Sequence, residues 1–155
     1  MRRLLIDATQ CAGCRCCEMA CSFRHEGVFS PSLSRVAVIK DDKHGIDYPL
    51  YCRQCEPCPP AEMCPTGALS KGDRGTVQLD ENVCINCGVC VSACRFEAIK
   101  LDEASMPILC DLCGGDPACV LKCPTKAMTF QESDFFSEQP DEAYKKLRRR
   151  WGLDA

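Results

Sequence analysis

Cys84-Ile85-Asn86-Cys87-Gly88-Val89-Cys90-Val91-Ser92-Ala93-Cys94 sets four cysteines at gaps of two, two and three residues, and Cys11-Ala12-Gly13-Cys14-Arg15-Cys16-Cys17-Glu18-Met19-Ala20-Cys21 repeats those gaps unchanged. Two looser versions complete the set. Cys52, Cys55, Cys58 and Cys64 lengthen the last gap to five residues, and Cys110, Cys113, Cys119 and Cys123 lengthen the middle gap to five. A phrase repeated at this length is an internal repeat, and it governs the architecture before any secondary-structure reading. The residues after the last cysteine repeat as well: Cys64-Pro65-Thr66-Gly67-Ala68-Leu69, Cys94-Arg95-Phe96-Glu97-Ala98-Ile99 and Cys123-Pro124-Thr125-Lys126-Ala127-Met128 each carry alanine and then a large apolar residue at fixed offsets. That pattern fits a tight turn that delivers one sulfur to a shared centre and then opens a short buried segment.

Three cysteines this close let one short loop wrap a cubic 4Fe-4S core and reach three of its corners. A distant cysteine must take the fourth, as in the bacterial phrase C-x2-C-x2-C-x3-C-P, whose last cysteine ligates the other cluster. Four phrases imply two such modules and sixteen thiolate ligands. The chain has 17 cysteines among 155 residues; the one left over, Cys16, falls out of register and reads as a small buried hydrophobe.

Disulfide and zinc readings compete with iron-sulfur ligation. Only six residues precede Asp7, too few for an export signal, and no apolar run approaches the roughly 20 residues of a membrane helix. The expectation is therefore a cytoplasmic chain without a membrane span, in which dense cysteine means metal. Zinc, which needs only paired C-x2-C units, stays open for any single group. Net charge is -3 and nothing reinforces Arg148-Arg149-Arg150, so no nucleic-acid partner is expected. The sequence has no phosphate loop, dinucleotide fingerprint or nucleophile constellation, and no catalytic residue is assigned. Sixteen cysteines already saturate four cubes, so His25 and His44 read as surface or hydrogen-bonding residues. A rival reading, an enzyme with substrate at an open iron, rests on the irregular second phrase.

Between the phrases, residues 34–40 and 46–51 read as the strands of a hairpin around the polar turn 41–45. Residues 76–80 and 99–102 read as short strands in small paired hairpins, with little other regular structure. The tail follows helix start and stop rules: Pro140 at the start, Asp141 and Glu142 in the first turn, basic residues over 145–150 and Gly152 at the end. Tyr144, Leu147 and Trp151 share one face of that helix.

With these phrases, the chain resembles the four-cluster, ferredoxin-type subunits of multisubunit oxidoreductases that serve molybdenum and tungsten enzymes and some hydrogenases. The resemblance covers residues 3–130. The stretch from Cys11 to Gly27, followed by Phe29-Ser30-Pro31, most resembles the small subunit that accompanies tungsten aldehyde oxidoreductases, and similar phrases occur in subunits of aromatic acyl-CoA reductases. The resemblance implies an α+β fold of two ferredoxin-like modules with nested pairing, first phrase with fourth and second with third. Cys11, Cys14 and Cys17 then share a cube with Cys123, and Cys110, Cys113 and Cys119 with Cys21. In the inner module Cys52, Cys55 and Cys58 join Cys94, while Cys84, Cys87 and Cys90 join Cys64.

The outer module spans 1–51 and 105–130, with the 34–51 hairpin inserted; the inner module spans 52–104, and 131–155 forms a helical extension. Family members place the third cysteine of the second phrase slightly later, where Pro60 stands, so Cys58 is expected to serve through a loop rerouted at Pro57, Pro59 and Pro60. The implied function is relay of single electrons through four 4Fe-4S clusters. One end would meet a catalytic subunit of tungsten-pterin aldehyde oxidoreductase type. The other would meet a soluble carrier, a reductase subunit or a second copy joined head to tail. A molybdenum enzyme, a hydrogenase or an aromatic acyl-CoA reductase is the alternative partner.

Overall fold

The computed structural model describes residues 2–72 and 75–134, together with 142, 145, 148, 149 and 152. Its strands are β1 (Arg2–Ile6), β2 (Val36–Asp41), β3 (Ile46–Tyr51), β4 (Leu69–Lys71), β5 (Val77–Leu79), β6 (Lys100–Leu101), β7 (Pro107–Ile108) and β8 (Met128–Glu132). They form four separate antiparallel pairs: β1 with β8, β2 with β3, β4 with β5, and β6 with β7. The expected hairpins around 34–51, 76–80 and 99–102 are all present. β1, whose Leu4 lies opposite Phe130, joins the two ends of the described chain and had no counterpart in the sequence reading.

The helices are α1 (Cys16–Glu26), α2 (Pro59–Glu62), α3 (Val89–Ala93) and α4 (Ala118–Leu121). Each follows from a cysteine phrase. Cys17, Cys90 and Cys119 are the second residues of α1, α3 and α4, so three phrases present their third cysteine from the first helical turn. The second phrase departs from this rule. Buried Pro60 takes the second helical position and Cys58 serves as the N-cap, one residue before the helix. Proline at the first helical position leaves only an N–H that a helix does not use.

α1 continues past Cys21 to a left-handed Gly27, whose N–H bonds the Phe23 carbonyl. The other three phrases end differently. After Cys64, Cys94 and Cys123 the chain turns through Gly67, Glu97 and Lys126, all at positive φ, and their N–H groups bond back to the three cysteine carbonyls at 3.2, 2.9 and 3.3 Å. This explains why the trailing alanine motif recurs three times: Cys21 stays inside a helix, so no turn follows it.

Burial separates two cores. One combines Leu4, Val36, Val38, Tyr51, Leu112 and Met128 with Cys17, Cys110 and Cys119. The other combines Leu69, Val77, Ile99 and Leu109 with Cys58 and Cys90. α1 packs on α4, and α2 on α3. In the tail, Glu142, Lys145, Arg148 and Arg149 are helical, whereas the expected face of Tyr144, Leu147 and Trp151 lies outside the described residues. Among the described residues no helix is long and apolar enough to cross a membrane.

Candidate metal centres

The structure brings cysteines of different phrases together. Cys52, Cys55, Cys58 and Cys94 line one cavity together with Val77, Phe96, Ile99 and Leu109. Cys64, Cys84, Cys87 and Cys90 line another, walled by Leu69, Leu79, Ile85 and Pro107. Cysteines of the first and fourth phrases are neighbours through the charges their thiols exert on one another. Burial pushes Cys17 up to about 12, and Glu18, Cys11 and Cys14 add to the shift. Burial also raises Cys11, with Asp47, Cys14 and Cys123 adding to the shift and a backbone bond at Gly13 opposing it. Cys119 rises to about 12 by burial, reinforced by Cys21, Cys113 and Cys17. Fully buried Cys110 lies well above the ordinary thiol value, from burial and then from Cys52, Cys119 and Cys21. Two neighbour relations thus bridge sets, Cys17 to Cys119 and Cys110 to Cys52.

The backbone around each set has a common form. The residue before the second cysteine is left-handed in all four phrases: Gly13 at φ 60°, Gln54 at 54°, Asn86 at 56° and Leu112 at 57°. Outside glycine this conformation costs about 1–2 kcal/mol per residue, yet it recurs. Left-handed residues within such loops turn N–H groups inward, making a concave anion site of the kind found at many iron-sulfur centres. At Gly13 a Cβ would also displace the Asp47 carboxylate, which packs against this glycine.

Several sulfurs receive such donors. Arg35 N–H reaches Cys21 Sγ at 3.2 Å and Leu112 N–H reaches Cys110 Sγ at 3.4 Å. Backbone bonds at Leu69, Thr66 and Ala68 lower the Cys64 thiol, with the Thr66 hydroxyl 3.8 Å from the sulfur. The matching turn after Cys123 acts alike: burial pushes that thiol up, but backbone bonds at Met128, Ala127 and Thr125 and the Thr125 hydroxyl bring it below the ordinary value.

Two histidines meet the expectation of hydrogen-bonding roles. His25 Nε2 lies 3.5 Å from Cys113 Sγ and 3.4 Å from Asp111 Oδ1, and His44 Nδ1 lies 2.8 Å from Asp41 Oδ2. Cys16 differs from its reading as a buried hydrophobe. It is half-buried at the start of α1, and its thiol is raised first by its neighbour Cys14 and further by the charge of Cys123. Buried Glu18 was not foreseen; its Oε1 accepts the Val38 N–H at 2.6 Å and ties α1 to β2. Buried Arg53 and Gln54 were not foreseen either, since the residues between phrase cysteines carry no periodic signal.

Four thiols per set, apolar walls and inward N–H groups suit 4Fe-4S cores, which are held by thiolate and tuned by hydrogen bonds to sulfur. Comparison with known proteins agrees. Residues 77–100 match the family model of the 4Fe-4S binding domain. The chain is 43% identical over 123 residues to the polyferredoxin-like subunit of aliphatic sulfonate oxidoreductase from Pyrococcus furiosus, covering 77% of this chain and 70% of that protein. It is 39% identical over 140 residues to the putative electron transport protein YsaA of Escherichia coli, covering 82% and 87% respectively. Among solved structures it resembles a chain of the active-site complex BamBC of benzoyl coenzyme A reductase with benzoyl-CoA, at TM-score 0.54 and 26% identity, covering 97% of this chain and 90% of that one.

Proposed function

The chain belongs to the family of polyferredoxin-like, iron-sulfur electron-transfer subunits of oxidoreductase complexes, and from that premise we propose that it relays single electrons through four 4Fe-4S clusters between a catalytic subunit and a redox carrier. It has no catalytic residue of its own in this reading. When bound, a 4Fe-4S core supplies one-electron chemistry, its reduced form with four thiolates being one unit more negative than the oxidised form.

The observation that carries the proposal is the cross-phrase gathering of thiols, which supports four ligand sets. Cys11, Cys14 and Cys17 go with Cys123; Cys110, Cys113 and Cys119 with Cys21; Cys52, Cys55 and Cys58 with Cys94; and Cys84, Cys87 and Cys90 with Cys64. Buried Cys58, reaching its cavity from the N-cap of α2, supports full ligation of the irregular phrase and speaks against an open iron.

An order along the relay follows from the two bridging relations. The set completed by Cys123 neighbours the set completed by Cys21 through Cys17 and Cys119. That second set neighbours the set completed by Cys94 through Cys110 and Cys52. The set completed by Cys64 lies beyond. Apolar side chains such as Val77, Ile99 and Leu109 keep water from the inner sets, and the backbone N–H groups hold the sulfurs in place.

For the partner, the reading is a catalytic subunit of tungsten-pterin aldehyde oxidoreductase type, in the cytoplasm. Similarity to a subunit of an aliphatic sulfonate oxidoreductase and to a chain of an active-site complex supports an oxidoreductase partner; the tungsten-pterin type rests on the resemblance of residues 11–31. The test is anaerobic purification from the native host. About sixteen iron atoms per chain, four reducible signals in EPR and a co-purifying tungsten subunit are expected. A sample with four or fewer iron atoms, or one that stays colourless and redox-silent, would overturn the relay. A molybdenum subunit in place of tungsten would overturn only the partner.

A further inference from the structure

Arg53 is an arginine inside a thiol cavity. It stands between Cys52 and Gln54, is 6% exposed, and lines the cavity of Cys52, Cys55, Cys58 and Cys94. Its guanidinium is held by aromatic partners: Nη2 donates to the Tyr48 hydroxyl at 2.8 Å, and the group lies 4.9 Å from the Phe96 ring centre and 5.7 Å from that of Tyr51. Ring faces attract a cation and fix its position, and arginine does not lose its proton in proteins. Arg95 lines the same cavity from the exposed side, over Phe96 at 5.0 Å. Nearby Lys71, paired with the exposed carboxylate of Glu56, is a second cation at this cavity, where it favours the charged form of Cys58.

The other inner cavity is a built-in contrast. The described residues lining the cavity of Cys64, Cys84, Cys87 and Cys90 include no acidic or basic side chain. The two inner cavities share their thiol count and their apolar walls, and differ in the arginines.

We propose that Arg53 is a potential-setting residue, which draws an electron onto the centre of Cys52, Cys55, Cys58 and Cys94 in preference to the centre of Cys64, Cys84, Cys87 and Cys90. This rests on the four-cluster reading above. One-electron reduction adds one negative charge to a centre, the electron coming from a neighbouring centre or the partner, and no proton is required. A fixed, buried cation stabilises the more negative form, and charge near a cluster is one of the protein's main controls on its potential. The centre beside Arg53 adjoins the outer half of the chain through Cys52 and Cys110, so an electron at the centre of Cys64, Cys84, Cys87 and Cys90 is drawn toward the outer half.

The test is an EPR-monitored redox titration of the full chain with its clusters. Arg53→Met is expected to lower one of four midpoint potentials, changing that centre's reduction equilibrium about tenfold, which is 59 mV for one electron. The affected signal is the one that Cys58→Ser alters or abolishes, and Arg53→Lys restores most of the shift. Iron content stays at the unmutated level, which a purely structural defect would not allow. An unchanged set of midpoints, a uniform fall of all four, or a shift in a signal that Cys58→Ser leaves untouched overturns the proposal. If Arg53→Met fails to keep its iron, Arg95→Gln decides: a smaller downward shift of the same signal supports the proposal, and no shift overturns it. An unmutated chain without about sixteen iron atoms fails the four-cluster reading itself, before any variant is compared.

Discussion

Gln54 Nε2 donates to the main-chain oxygen of Cys110 at 2.6 Å, across 56 residues of sequence. The Oε1 atom of the same side chain accepts the Val77 N–H at 2.7 Å. One buried amide, on a left-handed residue of the second phrase, therefore fastens a cysteine of the fourth phrase and a strand of the inner hairpin. Gln54→Leu keeps the approximate size and leaves both backbone groups buried without a partner, at about 1–3 kcal/mol each. The expected result is a clear fall in the temperature at which the cluster-loaded protein loses its visible absorbance. Gln54→Glu should fall less only at low pH, where the protonated carboxyl can donate to the Cys110 carbonyl and accept from Val77. Equal behaviour of Gln54→Leu and the parent protein would show that the bridge is dispensable.

Adjacent cysteines separate ligation from proximity. Cys17 is buried in the first helical turn of α1 and feels Cys11 and Cys14, whereas half-buried Cys16, out of the phrase's register, is raised mainly by its neighbour Cys14. Cys16→Ala is expected to keep the parent's iron content. Cys17→Ala should lose up to one cluster's worth, and less if Cys16 swings in as a substitute. The double variant Cys16→Ala with Cys17→Ala then loses more than Cys17→Ala alone. Iron and sulfide determined side by side check both steps, and equal losses in the two single variants would contradict the assignment.

The spacing of the phrases made an iron-sulfur chain legible, because gaps of two and three residues constrain a loop strongly, and the β2–β3 hairpin was legible from β-branched runs around a glycine turn. The β1–β8 pair was not. Its five-residue strands have no alternation that singles them out, and their pairing depends on contact between the two ends of the described chain. Arg53 and Gln54 stayed invisible for a different reason. Polar residues in a cysteine phrase read as solvated loop, and only tertiary packing against Tyr48, Phe96 and the Cys110 carbonyl buries them. The exchange of roles between Cys58 and Pro60 lies between these cases: the sequence marked the irregularity, and the helix start at Pro59 shows how it is absorbed.

Cluster loading should depend on pH with a definite sign. Free thiols titrate at about 8.5, and burial pushes Cys17, Cys52 and Cys119 up to about 12, so, folded or unfolded, these thiols hold protons across the neutral range before metal binds. Thiolate ligands must shed those protons when metal binds, so loading releases protons and strengthens as pH rises. Anaerobic reconstitution at about pH 8.5 is expected to incorporate more iron than at about pH 6.5, with acid reversing it. For any metal-free folded state the sign is opposite. A thiol whose folded value lies above the ordinary thiol value of 9.0 stabilises the fold below that pH, and the contribution is lost as pH rises towards about 12. Iron uptake measured at several pH values checks the first statement, and uptake independent of pH would contradict it.

Metal removal should unfold the chain. The first core counts Cys17, Cys110 and Cys119 among its nine buried members, and the second counts Cys58 and Cys90 among six. The proposed ligands are thus also core residues, and the strands between them pair only two by two. Isolated two-stranded sheets are marginal in water, and α2, α3 and α4 are single turns of four or five residues, too short to hold without packing. Without iron, little apolar surface remains to offset the entropy of ordering the loops, which costs about 1–2 kcal/mol per residue in the backbone alone. Chelation under anaerobic reducing conditions is expected to abolish the cooperative thermal transition and the near-ultraviolet circular dichroism together. The β2–β3 hairpin, whose Val36 and Val38 pack with Tyr51, is expected to be the last element to show protection from hydrogen exchange. A metal-free chain that kept a cooperative transition and native-like circular dichroism would show that the two cores stand without their clusters.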